Sequence, residues 1–156
     1  MFKKTLAVLA LSLAASTTFA MSPIEQNATL LALDDEYKAY STYFVVIEKH
    51  GEIRPFTNII NAETGHISAL VEALTAAGIE IPENPYLNGE KSRPEAPDTV
   101  QASCALGVAA EIANAALYDD ELLPMVEGND ELTTIFSNLR DASDDKHLKA
   151  FERCAN

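Results

Sequence analysis

The stretch NIINAETGHISALVEAL, Asn58 to Leu74, decides the fold and poses its central problem. Ile60, Ile67, Leu70 and Leu74 recur at helical spacing, so the segment reads as an amphipathic helix with one apolar stripe. Glu63 and His66 fall on that same stripe. A carboxylate and an imidazole one turn apart on a face that should be apolar need a chemical reason.

The helix around this stretch begins at Pro55, a residue type suited to the first helical position, and runs to Gly78. Before it, residues 28–50 carry Leu30, Leu33, Tyr40, Tyr43, Phe44 and Ile47 at helical spacing and stop at Gly51. Beyond it, a third helix is expected over 98–126. Asp98 or Thr99 is its N-cap, Val108, Ile112 and Leu117 lie along it, and it bends near Pro124. After Gly128-Asn129-Asp130, a fourth covers 130–154 with Leu132, Ile135, Phe136, Leu139 and Phe151 inward. No stretch shows the sustained alternation of a strand, so the chain reads as all-α: two helical hairpins, preceded by a short segment at 21–27.

The hairpins are joined by IEIPENPYLNGEKSRPEAP, residues 79–97, which has four prolines and no periodicity. About 19 extended residues span roughly 60 Å, whereas a 22-residue helix is roughly 33 Å long. Such a loop can therefore carry the chain from one end of a helical bundle to the other.

The first twenty residues, MFKKTLAVLALSLAASTTFA, combine a basic start at Lys3 and Lys4, a short apolar run and small residues at Thr18 and Ala20. This is the pattern of a secretory signal. The run is short for an anchor, and no other stretch reads as a membrane span. Export to the periplasm or beyond is expected. Removing residues 1–20 takes the formal charge from −13 to −15, which disfavours nucleic acid and anionic membranes as partners and attracts cations. The remaining chain, about 136 residues, is one domain's worth. It has no tryptophan, no Gly-x-Gly-x-x-Gly, no phosphate-binding loop and no Cys-x-x-Cys.

Glu63 and His66 have company. Each of the other three helices also carries ionisable residues on or beside its stripe: Glu36, Glu111, and the pair Asp144 and His147. In an antiparallel hairpin, two residues share a height when the turn lies midway between them. For Glu36 and the 63/66 pair that midpoint is about position 50, the His50-Gly51 turn. For Glu111 and the 144/147 pair it is about position 128, the Gly128-Asn129 turn. The halves also echo one another, because Leu33-x-x-Glu36 followed by Tyr43 matches Val108-x-x-Glu111 followed by Tyr118. Burying four carboxylates and two imidazoles together demands a counter-charge, and the mature chain has only four arginines and a few lysines to provide it. A metal would supply it. Carboxylate oxygen with imidazole nitrogen suits iron or manganese, and bridging carboxylates suit two ions.

One Glu from each of two helices, with Glu-x-x-His from the others, resembles the ferritin-like di-iron or di-manganese carboxylate superfamily. The resemblance covers residues 28–154, and LALDDEYKAY, PFTNIINAETGHISALV, AEIANAALYDDELL and HLKAFERC are similar to an uncharacterised bacterial and archaeal branch of it, a domain of unknown function. It implies a four-helix bundle with one crossover loop. It also implies Glu36 and Glu111 as terminal or bridging ligands, Glu63 with His66 at one metal, and His147 from the fourth helix. Asp144 departs from the pattern, which expects Glu, so the second position is the weaker one.

Tyr43 and Tyr118 read either as core aromatics or as hydrogen-bond partners of the nearby carboxylates. His50 suits a helix C-terminus, and Asp34-Asp35 and Asp119-Asp120-Glu121 read as solvated faces. Cys104 lies seven residues before Glu111 and Cys154 seven after His147. In antiparallel neighbours these offsets move the same way, so the cysteines should meet as a disulfide outside the metal level, not serve as thiolate ligands. The functional expectation is ferrous oxidation, or reduction of O2 or peroxide, at two iron ions. A metal carrier without turnover and a metal-free structural bundle are the alternatives.

Overall fold

A computed structural model describes residues 20–156. The signal read in residues 1–20 therefore lies outside the described residues, apart from Ala20. Helices α1 and α2 are Pro23–His50 and Phe56–Ala76. A single turn, α3, Pro85–Asn88, interrupts the crossover segment. Helix α4, Val100–Met125, and helix α5, residues 130–155, complete the chain, and no strand occurs among the described residues.

Helix α1 begins earlier than the apolar periodicity implies, and local chemistry explains why. Ser22 and Glu25 form a capping box: the Ser22 hydroxyl accepts from the Glu25 amide, and the Glu25 carboxylate accepts from the Ser22 amide at 2.6 Å. With Pro23 at the first turn, the segment expected to precede the helix is part of it. Thr99 caps α4 and Asn129 caps α5 through their side chains, while Gly51 ends α1 at a φ of +83°, which favours glycine.

Both later helices contain one wide π turn, Tyr118–Leu122 in α4 and Ser143–His147 in α5. The first lies just before Pro124. In a regular helix that ring would press on the carbonyl of Asp120, and the wider turn relieves the conflict.

The core is divided into two apolar clusters with a polar layer between them. Leu33, Leu70, Leu74, Leu122, Leu132 and Phe136 belong to one; Tyr43, Val46, Phe56, Ile59, Cys104 and Phe151 make up the other. Following each helix from cluster to cluster gives its direction. Helix α1 runs from the first to the second, α2 and α4 run back, and α5 runs as α1 does. Because α2 ends at the first cluster and α4 starts at the second, the intervening segment travels the length of the molecule.

It does so along α1. Tyr37 donates to the Pro82 carbonyl, Asn84 bonds Ser41, Arg93 pairs with Glu48, and Lys49 pairs with Asp98. His50 contacts the Pro97 carbonyl at 2.8 Å, far from the polar layer. Asp34, expected in water, instead receives Lys91 at 2.6 Å and the Tyr86 hydroxyl at 3.1 Å.

Helix α4 is long and apolar enough, at mean hydropathy 1.3, to pass the length and composition test for a membrane span, which the sequence reading did not foresee. Its alanine-rich composition causes this. The buried Glu111 takes the inward position, and Ile112 is turned out with 54 % exposure.

Candidate metal centre

The polar layer is built from α1, α2, α4 and α5. Glu36, Glu63, Glu111 and His147 are all at most 5 % exposed, and His66 is slightly more open. Their ligand atoms form two groups, Glu36, Glu63 and His66, and Glu63, Glu111 and His147, with Glu63 common to both.

The distances are tight. His66 Nδ1 stands 3.1 Å from Glu36 Oε2 and 3.2 Å from Glu63 Oε2, while His147 Nδ1 stands 3.2 Å from Glu63 Oε1 and 3.5 Å from Glu111 Oε2. The two imidazoles stack, centroids 5.6 Å apart, on the α2 and α5 side.

Hydrogen bonds from outside the groups divide the roles of the carboxylates. Tyr118 donates to Glu36 Oε1 at 2.9 Å and Asn114 Nδ2 to the same oxygen at 3.3 Å, so Oε2 alone is left facing His66. Tyr43 donates to Glu111 Oε1 at 2.5 Å, leaving Oε2 toward His147. Neither oxygen of Glu63 receives a tyrosine or amide among the described residues, and each faces a different imidazole. The geometry thus leaves one oxygen of Glu36 and one of Glu111 facing an imidazole, and both oxygens of Glu63. The tyrosines cross over: each phenol seven residues beyond one carboxylate serves the carboxylate of the other half, since α1 and α4 run in opposite directions.

The electrostatics of the layer follow from burial and these contacts. Burial pushes the Glu36 carboxyl up to about 7. Burial also opposes charging the imidazoles, but hydrogen bonds to Glu36 and Glu63 outweigh it for His66, at about 10, and the negative charge of the adjacent Glu111 and Glu63 does so for His147, at about 9. Glu63 is buried too, yet contacts with both imidazoles hold it below the usual carboxylate range. Burial drives both tyrosine hydroxyls well above their ordinary value, so they remain donors.

The groups fit a metal. Donors bound at about 2.1 Å to one ion stand about 3.0 Å apart at octahedral angles and about 3.4 Å apart at tetrahedral ones. The imidazole-to-carboxylate separations of 3.1 to 3.5 Å lie close to that range. His147 Nδ1 is moreover a buried nitrogen without a hydrogen-bond partner, despite the carboxylates beside it. Each group offers two carboxylate oxygens and one imidazole nitrogen, which leaves coordination positions for water or a small reactant.

Asp144 does not join them. It is exposed and lies outside both groups, which corrects the ligand role expected for it. The reason is the π turn at Ser143–His147: its wider pitch puts residues three apart about a third of a turn from one another, so His147 points in while Asp144 points out. The buried neighbour four residues before His147 is Ser143, whose hydroxyl donates to Asn114 Oδ1 at 2.7 Å.

Asn114 is the participant that the sequence reading missed. It donates to Asp35 Oδ2 at 2.8 Å as well as to Glu36, and so links α1, α4 and α5. Its place three residues after Glu111, where α2 has His66 after Glu63, was the available signal. Asp35, expected on a solvated face, is largely enclosed, and burial raises its carboxyl.

Below the layer, Cys104 and Cys154 are paired with Cα atoms 5.6 Å apart, compatible with an oxidising compartment, and no free cysteine occurs among the described residues. Compared with known proteins, the chain matches no protein-family model, no curated protein and no solved structure.

Proposed function

We propose that this chain is an exported ferritin-like four-helix bundle that holds two metal ions and turns over dioxygen or peroxide with them. Iron is the leading metal, and manganese takes the same donors. One observation carries the reading: two carboxylate and imidazole groups meet in the protein interior and share Glu63, whose oxygens face different imidazoles. Glu36 and His66 would hold one ion, Glu111 and His147 the other, with Glu63 between them. Bound iron would supply one-electron redox capacity and Lewis acidity at each position. The chain's own residues do the rest. Tyr118 and Asn114 fix Glu36, Tyr43 fixes Glu111, and the two apolar clusters keep bulk water from the ends of the layer.

The test is anaerobic titration of metal-free protein with Fe2+, metal analysis of the product, and near-ultraviolet absorption on adding O2 or peroxide, with Glu63→Ala in parallel. Near two irons per chain and oxidation faster than in buffer, both lost in the variant, support the proposal. Uptake without oxidation leaves a carrier, and no uptake discards the metal.

A second reading, a structural bundle without metal, has one observation in its favour. The carboxylates beside His66 and His147 hold both imidazoles charged, so the layer carries part of its own counter-charge. Full folding without metal and no thermal stabilisation on adding it would decide for that reading.

A further inference from the structure

The polar layer lies between the two apolar clusters. The two apolar clusters seal its ends, and the stacked rings of His66 and His147 cover the side formed by α2 and α5. Between α1 and α4, a cavity of about 50 Å³ reaches the carboxylates. Glu63, Glu111 and Tyr43 form its inner end, and the alanines Ala39, Ala110 and Ala113 form its walls. Asp35, Lys38, Thr42 and Asn114 complete the lining, with Lys38 and Ala113 exposed at the surface.

We propose that this cavity is the doorway through which a divalent cation reaches the two positions, and that Asp35 is the first carboxylate it meets. The inference rests on the metal reading above and adds the route. A cavity of about 50 Å³ has room for water-sized species, and so for a small cation with part of its hydration shell. The three carboxylates of the lining outnumber its one lysine, and Lys38 stands outermost on a long, mobile side chain. Small walls keep the passage open: a residue larger than alanine at 39, 110 or 113 would fill it. The cavity meets Glu63 and Glu111, not Glu36 or His66, so the position shared by Glu63, Glu111 and His147 fills first and the other through it.

The experiment is stopped-flow uptake of Co2+ by metal-free protein, read by the visible absorption of the bound ion, together with the equilibrium titration. Ala113→Leu plugs the mouth from α4 and Ala39→Leu the opposite wall from α1, so each checks the other should one variant fold poorly. Uptake and release should both slow at least tenfold, with the dissociation constant within about twofold of wild type. Asp35→Asn should slow uptake and flatten its dependence on salt while leaving the stoichiometry unchanged. Wild-type uptake rates in both plugged variants would overturn the doorway and leave the metal site standing. No uptake by the wild-type chain would overturn both.

Discussion

Adding metal to this layer means expelling protons, and their number follows from the geometry. His66 keeps its proton up to about pH 10 and His147 up to about pH 9, because each imidazole lies against two carboxylates. A metal ligand must be neutral imidazole, so both protons leave on binding. Glu36, raised to about 7, is only partly protonated near neutrality and adds little to that count. Filling both positions near neutrality should release about two protons per chain, and the overall affinity should climb about two decades per pH unit until His147 begins to titrate. Isothermal calorimetry with Mn2+ in buffers of different ionisation heat measures the release directly. Titration between pH 7 and 9 gives the slope. The metal-free chain should respond in the opposite sense. Both folded histidine values lie above the ordinary value of about 6.5, so their stabilisation is complete below it and is lost as the pH rises through 9 and 10. The melting temperature of metal-free protein should therefore fall across that window while that of the metal-loaded protein does not. Tight binding with no proton release, or an affinity flat from pH 7 to 9, would refute the reasoning, since the imidazoles could not then be the charged partners of Glu36, Glu63 and Glu111.

Three further outcomes are expected. Ser143→Ala removes the hydroxyl that ties the π turn of α5 to Asn114, and should weaken the His147 position 10- to 100-fold in metal titrations while Ser143→Thr restores it. Gly107→Ala would place a Cβ 2.6 Å from the Phe151 ring, which packs on Tyr43 and Phe56, and should cost about 1–3 kcal/mol in denaturant unfolding. Replacing both Cys104 and Cys154 by serine opens a bridge across a sequence separation of 50 and should lower unfolding stability by about 4 kcal/mol on the chain-entropy account.

What could be read from the residues alone depended on the regularity of the helix. Heights along a hairpin follow from rise and turn position, so the meeting of Glu36, Glu63, His66, Glu111 and His147 at one level, and of Cys104 with Cys154 beneath it, was legible. Asp144 was misplaced because that arithmetic assumes a uniform turn, and the π turn at Ser143–His147 breaks the assumption where it matters. The early start of α1 was written in the Ser22-Pro23-Ile24-Glu25 pattern, a capping signal overlooked because apolar periodicity begins later. The crossed tyrosines were out of reach for another reason. Spacing along one helix gives the face of a phenol but not which neighbouring helix supplies its acceptor. Asn114 belongs to the same class, since its value lies in partners on α1 and α5.

The sharing of Glu63 makes the two halves of the chain unequal owners of the layer. Glu36, Glu63 and His66 all belong to the first two helices, whereas the group of Glu63, Glu111 and His147 exists only when α4 and α5 have docked against them. An ion in the first group would be held by one half-chain; an ion in the second would be a clasp between halves. A chain cut in the exposed stretch at 88–93, which joins them, would then reassemble as a metal-dependent pair. Its second position would report association of the fragments.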